Sequence, residues 1–269
     1  MNRSDLPDVL RQIVERRRHR VVEAKAAAVL QDVKMPPERP GRVLEVRQNR
    51  FLQALAGGRG RGIIAEIKLG SPRIGSLVGR VDPEKQARIY AENGARALSV
   101  VVEPDFFHGS YELLRRCRLA STLPTIAKDF VVDEIQLDWA AEAGAEAVLL
   151  ISSLFGKQGL AEMAAAARSR GLAPLVEIHD LAELEKLAGS RWEMVGVNNR
   201  NLHTFEVEIE NSLALSSTLP TEAIKVAESG IESAAQIHLL AGVGFDAFLV
   251  GEALLFAGDP AEKLRELLA

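Results

Sequence analysis

Short, continuous apolar segments recur along this chain from Ile63 onward. They fall at about 63–67, 97–102, 124–127, 146–151, 173–178, 194–198, 224–227 and 247–251. Continuous segments, as opposed to alternating ones, are typical of parallel strands that are covered on both faces. The pattern therefore predicts eight buried strands.

Polar, helix-periodic stretches separate these segments. Pro83 to Asn93 is an example, because proline suits a helix start and Asn-Gly suits a helix end. Similar stretches are 133–143, 160–170, 181–187, 233–240 and 260–268, and glycines predicted to form left-handed caps near the helix ends are Gly94, Gly144, Gly171, Gly189 and Gly242. Eight strand–helix units in little more than 200 residues predict an α/β fold, a single (βα)8 TIM barrel. The alternative is an open doubly wound sheet, which the lack of a glycine fingerprint and the polar residues at most strand ends disfavour.

The segment before the first strand has a different pattern. Residues 1–30 predict one or two amphipathic helices, 31–42 are a proline-rich break, and 43–55 predict a further helix with Phe51, Leu52 and Leu55 on its apolar face. We expect residues 1–60 to form an N-terminal helical extension of a single domain that spans residues 1–269.

Composition excludes several classes of partner. The formal net charge is −4, so we expect neither nucleic acid nor an anionic membrane as a partner. The dense basic cluster at 16–20 (RRRHR) is interpreted as a solvated helix face, with a nucleic-acid site as the less favoured alternative. The single cysteine, Cys117, is expected to be a small core residue. With no long apolar span and a polar N-terminus, the expected location is cytoplasmic.

Chemistry is concentrated where the predicted strands end. In a barrel, those carboxyl ends form the active-site face. The polar residues found there are Glu66, Lys68, Glu103, Lys128, Asp129, Ser152, Ser153, Glu177, His179, Asp180, Asn198, Asn199, Arg200, Glu228, Ser229, Gly230, Gly251 and Glu252. An isolated Glu-x-Lys is more often a structural ion pair than a catalytic one. A whole rim of such groups instead predicts mutual pKa shifts and acid–base chemistry.

Two further features concern ligands. Ser229-Gly230 and Gly251 stand at tight turns after the seventh and eighth strands, where barrels often bind phosphate, and Ser71 could add a hydroxyl group; plain turns are the alternative. The five histidines are scattered and Cys117 has no ligand spacing, so we predict no metal site. His179 is a weak candidate for a catalytic base, because it stands next to a predicted helix start.

Taken together, the motifs resemble the indole-3-glycerol phosphate synthase family over essentially the whole chain. The segments that carry the resemblance are IIAEIKLGSP (63–72), FFHGSYELL (106–114), PTIAKDFVVD (124–133), AVLLI (147–151), PLVEIHD (174–180), VGVNNRNL (195–202), VAESGI (226–231) and FLVGEALL (248–255). The resemblance implies ring closure of a phosphorylated anthranilate–ribulose adduct to an indole, with loss of CO₂ and water and without cofactor or metal.

The resemblance also implies roles for individual residues. Lys128 resembles the general acid, Glu177 its partner carboxylate, and Lys68 the second lysine. Glu66 and Asn198 resemble the groups that orient them. The substrate-binding positions implied are Arg200 for the anthranilate carboxylate, Ser71, Gly230 and Gly251 for phosphate, Phe107 and Leu149 for the aromatic ring, and Glu228 and Ser229 on the rim.

The chain departs from the family pattern at the anion site. The family commonly has K-R-A-S-P-S-K-G after the first strand, whereas this chain has Leu69, Gly70, Arg73 and Ile74. Arg73 could compensate. Glu252 replaces a frequent serine or threonine, and we expect it to point away from phosphate. The alternatives are a non-catalytic barrel that binds a phosphorylated metabolite and another sugar-phosphate enzyme. We expect a monomer or weak homodimer.

Overall fold

The computed structural model describes residues 8–30, 49–56, 62–201, 204 and 206–269. The predicted proline-rich break at 31–42, the first part of the predicted helix at 43–55 and most of the turn that follows it lie outside these residues. That residues 1–60 extend a single domain stays a prediction.

Eight parallel strands close into a barrel, so the predicted (βα)8 fold is confirmed. In chain order the strands are β1 (Gly62–Ile67), β2 (Gly70–Ser71), β3 (Gly75–Ser76), β4 (Ala97–Val101), β5 (Thr125–Lys128), β6 (Ala147–Ile151), β7 (Ala173–Ile178), β8 (Met194–Asn198), β9 (Ile224–Glu228) and β10 (Ala247–Val250). The short β2 and β3 form a separate antiparallel hairpin in the first loop, which the sequence pattern did not predict. The barrel strands follow one another around the ring in sequence order, and β10 pairs with β1.

Helices follow the barrel strands, with two more before β1. They are α1 (Asp8–Leu30), α2 (Arg50–Leu55), α3 (Pro83–Glu92), α4 (Tyr111–Ala120), α5 (Ile135–Glu142), α6 (Lys157–Ser169), α7 (Leu181–Leu184), α8 (Glu210–Leu215), α9 (Ala234–Gly242), α10 (Glu252–Leu255) and α11 (Pro260–Leu267). Among the described helices, none combines the length and apolar character that a membrane span requires.

Two apolar clusters stabilise the barrel. One fills the layer between strands and helices, and it includes Cys117, which is buried as predicted. The other fills the barrel interior and includes Phe51, Leu52 and Leu55 of α2. These three pack against residues at the strand starts, so α2 closes the amino-terminal end of the barrel. Asn49 accepts hydrogen bonds from the backbone N–H groups of Phe51 and Leu52, and α2 accordingly begins at Arg50.

Helix α1 lies at the opposite, carboxyl end. Its buried side chains include Leu10, Ile13, Val14 and Val21. Arg17 is buried on the same face, where its Nε donates to Oδ1 of Asp129 at 3.0 Å. The interpretation of the whole basic cluster as a solvated face is therefore wrong for Arg17, because a buried carboxylate after β5 requires a cation.

The predicted helix caps are mostly confirmed. Gly94, Gly144, Gly171 and Gly189 all have positive φ. Gly242 does not, because α9 extends to that residue; the left-handed glycine is Gly244, with φ of 100°. The turn is thus displaced by two residues.

Candidate active site

A pocket opens at the carboxyl ends of the barrel strands. The structure places all thirteen predicted site residues on its wall: Glu66, Lys68, Ser71, Phe107, Lys128, Leu149, Glu177, Asn198, Arg200, Glu228, Ser229, Gly230 and Gly251. Strand register brings them level, since Ile151 on β6 pairs with Glu177 on β7 and Asn198 on β8 pairs with Glu228 on β9. Their individual roles stay predictions.

Glu66 is the buried centre of a two-lysine arrangement. Its Oε1 lies 2.9 Å from Nζ of Lys68, and its Oε2 lies 3.7 Å from Nζ of Lys128. Burial alone would raise the pKa of Glu66, but the two lysines outweigh burial and lower that pKa to about 2. One permanently ionised carboxylate therefore orients both ammonium groups.

Lys128 carries its charge among several carboxyl groups. Burial acts to lower its pKa, but Glu66, Glu177 and Glu228 outweigh burial and raise the pKa above the ordinary value. The Lys128 side chain lines the pocket and is 25% exposed. At neutral pH, Lys128 is thus a protonated group that faces the pocket and can act as an acid.

Glu228 is a carboxyl group without a counterion of its own. Both of its oxygens are buried, and neither forms a hydrogen bond with any residue that the structure describes. Burial first, and then the charge of Glu177, raise the pKa of Glu228 well above its ordinary value. Gly196 makes room for this group, since a Cβ there would lie 2.2 Å from Oε1 of Glu228. The shift therefore favours the protonated form of this buried carboxyl group beside Glu177.

Gly251 has a steric function next to Glu66. A Cβ at Gly251 would lie 2.4 Å from Oε1 of Glu66. A side chain at this position would thus displace the carboxylate that orients the two lysines. Gly251 therefore leaves room for Glu66 in its present position.

The turn after β9 has an unusual backbone. Ser229 and Gly230 both have positive φ, 66° and 77°. For serine this conformation is strained, and such residues concentrate at functional sites. Asn199 holds the turn, because its Nδ2 donates to the carbonyl oxygen of Ser229 at 3.0 Å.

Charged side chains on the loops form the outer part of the pocket. Nη2 of Arg200 lies 3.2 Å from Oε1 of Glu252, Nζ of Lys68 lies 3.8 Å from the same oxygen, and Arg73 pairs with the other oxygen. The prediction that Glu252 points away from the anion site is therefore wrong. Three cations surround it, and their attraction holds the carboxylate over the pocket.

Apolar side chains form another part of the pocket wall. They include the predicted Phe107 and Leu149, and Phe130, whose ring centroid lies 5.8 Å from that of Phe107. Val9, Leu10 and Ile13 of α1 also line the pocket, and sequence reasoning missed them. Their apolar spacing on α1 was visible, but nothing in it showed which end of the barrel the helix covers.

Most of the other polar residues at strand ends do not line the pocket. Glu103 instead accepts the backbone N–H groups of residues 105–107. Ser152 donates to Oε2 of Glu183, and His179 lies behind Glu177. Asp129 lines the pocket but pairs with Arg17. Within the described ranges, no group of three or more His, Cys, Asp or Glu residues could hold a metal ion.

A parallel barrel with a charged lysine, buried carboxyl groups and an apolar wall at its strand ends defines an acid–base barrel enzyme. The model of the family "Indole-3-glycerol phosphate synthase" matches residues 10–267. The chain belongs to this family, whose members are carboxy-lyases of tryptophan biosynthesis.

Named relatives agree with this assignment, and one solved structure shares the fold. Indole-3-glycerol phosphate synthase from Carboxydothermus hydrogenoformans is 40% identical over 97% of this chain and 99% of its own length. The protein of that name from Burkholderia ambifaria is 38% identical over 97% and 99%. Thiamine phosphate pyrophosphorylase from Pyrococcus furiosus is similar in fold alone, with a TM-score of 0.56 and 17% identity over 78% of this chain and 94% of its own.

Proposed function

We propose that this chain closes 1-(2-carboxyphenylamino)-1-deoxyribulose 5-phosphate into indole-3-glycerol phosphate, with loss of CO₂ and water. The observation that carries the proposal is the position of Lys128, charged and lining a pocket whose wall also includes the apolar side chains of Phe107 and Leu149. Such a pocket can hold an aromatic ring against the wall while a carbonyl oxygen lies near an acid.

The first step needs an acid at the ribulose carbonyl. The ring carbon that carries the carboxylate attacks the carbonyl carbon, and Lys128 protonates the oxygen as the C–C bond forms. The C–CO₂⁻ bond then breaks, and its electron pair returns to the iminium of the condensed ring. Glu66 keeps Lys128 charged for the first step, because its own pKa of about 2 leaves it ionised.

The second half of the reaction is a dehydration. The hydroxyl group leaves as water after an acid protonates it, and a base removes the neighbouring C–H proton to complete the indole. We assign the base to Glu177, which lines the pocket beside Glu228. Lys68 contacts the substrate and is a second acid, held by Glu66 at 2.9 Å. Asn198 is assigned to the ribulose hydroxyl groups; its Oδ1 also accepts the N–H of Arg200.

The two anionic ends of the substrate are assigned to the outer pocket. Arg200 receives the anthranilate carboxylate, and the loops of Ser71, Gly230 and Gly251 receive the phosphate, with Arg73 as an added cation. Glu252 pairs with both Arg73 and Arg200. The substrate anions then replace Glu252 as partners of these arginines.

The remaining proposals concern context. We infer that the protein needs neither metal nor cofactor, takes no nucleic acid or membrane as a partner, acts as a monomer or weak homodimer, and is cytoplasmic. A formal net charge of −4 and a buried free thiol at Cys117 support this setting.

The test is formation of indole product by fluorescence, without metal. The wild type is expected to turn the substrate over, while Lys128→Met and Glu177→Gln reduce kcat by about 100-fold or more. Lys157→Met and Glu162→Gln are matched controls, because both residues are exposed on α6. A wild type that binds the substrate but makes no indole would favour a non-catalytic barrel. Covalent trapping by borohydride would favour a Schiff-base enzyme instead.

A further inference from the structure

His179 is held rigidly behind the pocket by Glu183. Oε2 of Glu183 accepts the backbone N–H of His179 at 2.8 Å and lies 3.2 Å from its Nδ1. Ser152 donates to the same oxygen at 2.8 Å. The backbone of His179 is also held, since Nδ2 of Asn211 donates to its carbonyl oxygen at 3.0 Å. Both the position and the rotation of the ring are therefore determined by its neighbours.

The other ring nitrogen of His179 is directed at Glu177. Nε2 is buried and forms no hydrogen bond with any part of the chain that the structure describes. It lies 3.3 Å from Oε1 of Glu177, a separation that a small rotation converts into a hydrogen bond. A buried polar atom without a partner is costly, so its place beside an acid–base group needs a reason.

The ring lies among carboxylates. The charged groups that face it are Glu177 on the end of β7, and Glu183 and Asp180 at the start of α7. Ser152 and Asn211, which approach from β6 and α8, are uncharged. Burial acts to lower the pKa of His179, but the carboxylates outweigh it and raise the pKa above the ordinary value. An imidazolium is accordingly available near neutral pH.

The proposed reaction consumes a proton. The carboxylate group of the substrate is lost as CO₂, and one of its hydroxyl groups is lost as water. Two protons are donated to oxygen and one is removed from carbon, so each turnover takes up one proton net. This proton must reach a buried site, since the side chains of Glu66 and Glu177 are 7% and 3% exposed.

We propose that His179 is a positioning residue that orients Glu177 and holds a proton in reserve for it during turnover. This role rests on the function proposed above. After Lys128 has protonated the carbonyl oxygen, the N–H bond at Nε2 of His179 breaks, an O–H bond forms on Glu177, and Glu177 passes that proton to the neutral Lys128. Glu177 is then a carboxylate again, so it removes the C–H proton in the dehydration and returns that proton to the lysine that protonated the leaving hydroxyl group. The neutral ring keeps its Nδ1 proton against Glu183 and takes up one solvent proton after the product leaves. Exposure rises along this route, from 3% for the Glu177 side chain to 12% for His179 and 13% for Glu183.

The kinetic test compares His179→Asn with His238→Asn, an exposed histidine on α9. We expect His179→Asn to lower kcat by about 30-fold with KM changed less than about 3-fold, and added imidazole to restore part of the loss. In the wild type, kcat should fall as pH rises through the pKa of His179, and this decline should vanish in the variant. A loss that imidazole does not rescue, with an unchanged pH profile, would show a purely structural residue and overturn the proposal.

A second measurement does not need the substrate. NMR titration of the His179 ring is expected to give a pKa above the ordinary value in the wild type, lowered by Glu183→Gln and also by Glu177→Gln. A titration unchanged by Glu177→Gln overturns the proposal even if the enzyme is active. If Glu177→Gln does change the His179 titration but the wild type makes no indole, the proposed function and the proton supply are both overturned. The contact between Glu177 and His179 would still stand.

Discussion

The inner and outer parts of the pocket are constructed differently. The strand-end cluster, which consists of Glu66, Lys68, Lys128, Glu177, Asn198 and Glu228, stands on or directly after barrel strands. The loop rim, which consists of Ser71, Arg73, Arg200 and Glu252, stands on the connections. Side-chain exposure is 7% at Glu66 and 53% at Arg73, but the two parts overlap: Lys128 of the cluster is 25% exposed, and Arg200 and Glu252 of the rim are 23% and 29% exposed.

The difference has a physical consequence. Charges in the cluster are removed from water, so they shift one another's pKa values and their geometry cannot relax without large cost. Charges in the rim stand on loops and include the exposed Arg73, so their mutual pairs contribute less. Chemistry is therefore expected in the cluster and adaptable anion recognition in the rim. The following predictions test that division, from the largest effect to the smallest.

The largest effect is expected behind the cluster, at Arg17. Arg17→Met leaves Asp129 as a buried, unpaired carboxylate next to Lys128, and this should lower the free energy of unfolding by about 3–5 kcal/mol. The side chains of Arg17 and Asp129 are 4% and 0% exposed. Urea unfolding measures the change, with Arg18→Met as the neighbouring control. The double variant Arg17→Met/Asp129→Asn should regain part of the loss; no regain would contradict the ion-pair explanation.

The second effect concerns the geometry of the cluster. Gly251→Ala places a Cβ 2.4 Å from the present position of Oε1 of Glu66, so the carboxylate must move away from the lysines. We expect kcat/KM to fall by about 100-fold. Gly258→Ala is the matched control, because a Cβ there meets nothing within 4 Å. Full activity in Gly251→Ala would show that Glu66 does not need its present position.

Much of the cluster could be predicted from the sequence, for a specific reason. Continuous apolar segments locate parallel strands, and a charged residue near the end of such a strand lies at the carboxyl end of the barrel. Glu66, Lys128 and Glu177 follow from that rule. It also selects Glu103, whose carboxylate instead binds the N–H groups of its own loop. The rule gives the end of the strand, not the direction of the side chain.

The contacts that the sequence did not reveal join distant elements. Arg17 continues the apolar spacing of Ile13 and Val21 on α1, a sign that it lies on the buried face. Its partner, Asp129, is 112 residues away, and no local pattern connects them. The position of the Glu252 carboxylate likewise depends on Arg73, which lies on a loop 179 residues earlier. Strand ends are local properties, whereas ion pairs between loops are not.

The third prediction separates function from stability inside the cluster. Glu228→Gln removes a carboxyl group whose pKa is raised by burial and by Glu177. The pKa of Glu228 is higher in the folded state than in the unfolded state. As pH rises from about 4.5, the carboxyl group therefore ionises first in the unfolded state, and the wild type loses stability until the folded pKa is passed. The variant should therefore gain about 3 °C in Tm at pH 8, less at pH 5, and lose activity.

Glu222→Gln, on an exposed turn before β9, is the control for Glu228→Gln. Its Tm should match that of the wild type at both pH values. If Glu228→Gln is less stable at pH 8 than the wild type, the carboxyl group makes contacts that its burial conceals.

The smallest effects are expected in the rim. Glu252→Ser removes the carboxylate that occupies Arg73 and Arg200, so the substrate anions no longer compete with it, and KM should fall about 3-fold. Arg73→Ser should raise KM by a similar factor. Neither should change kcat or the free energy of unfolding measurably, and both effects should shrink as salt rises.

The exposed pair of Arg116 and Glu84 serves as the control for the rim, because Arg116→Ser breaks a similar contact away from the pocket. Its KM should not change. If Glu252→Ser instead lowers kcat as strongly as the cluster variants do, then Glu252 acts through Lys68, which lies 3.8 Å away, and the rim belongs to the catalytic chemistry. If only KM responds, hydration separates the two parts of the pocket: charges that keep their water recognise the substrate, and charges that have lost it carry out the reaction.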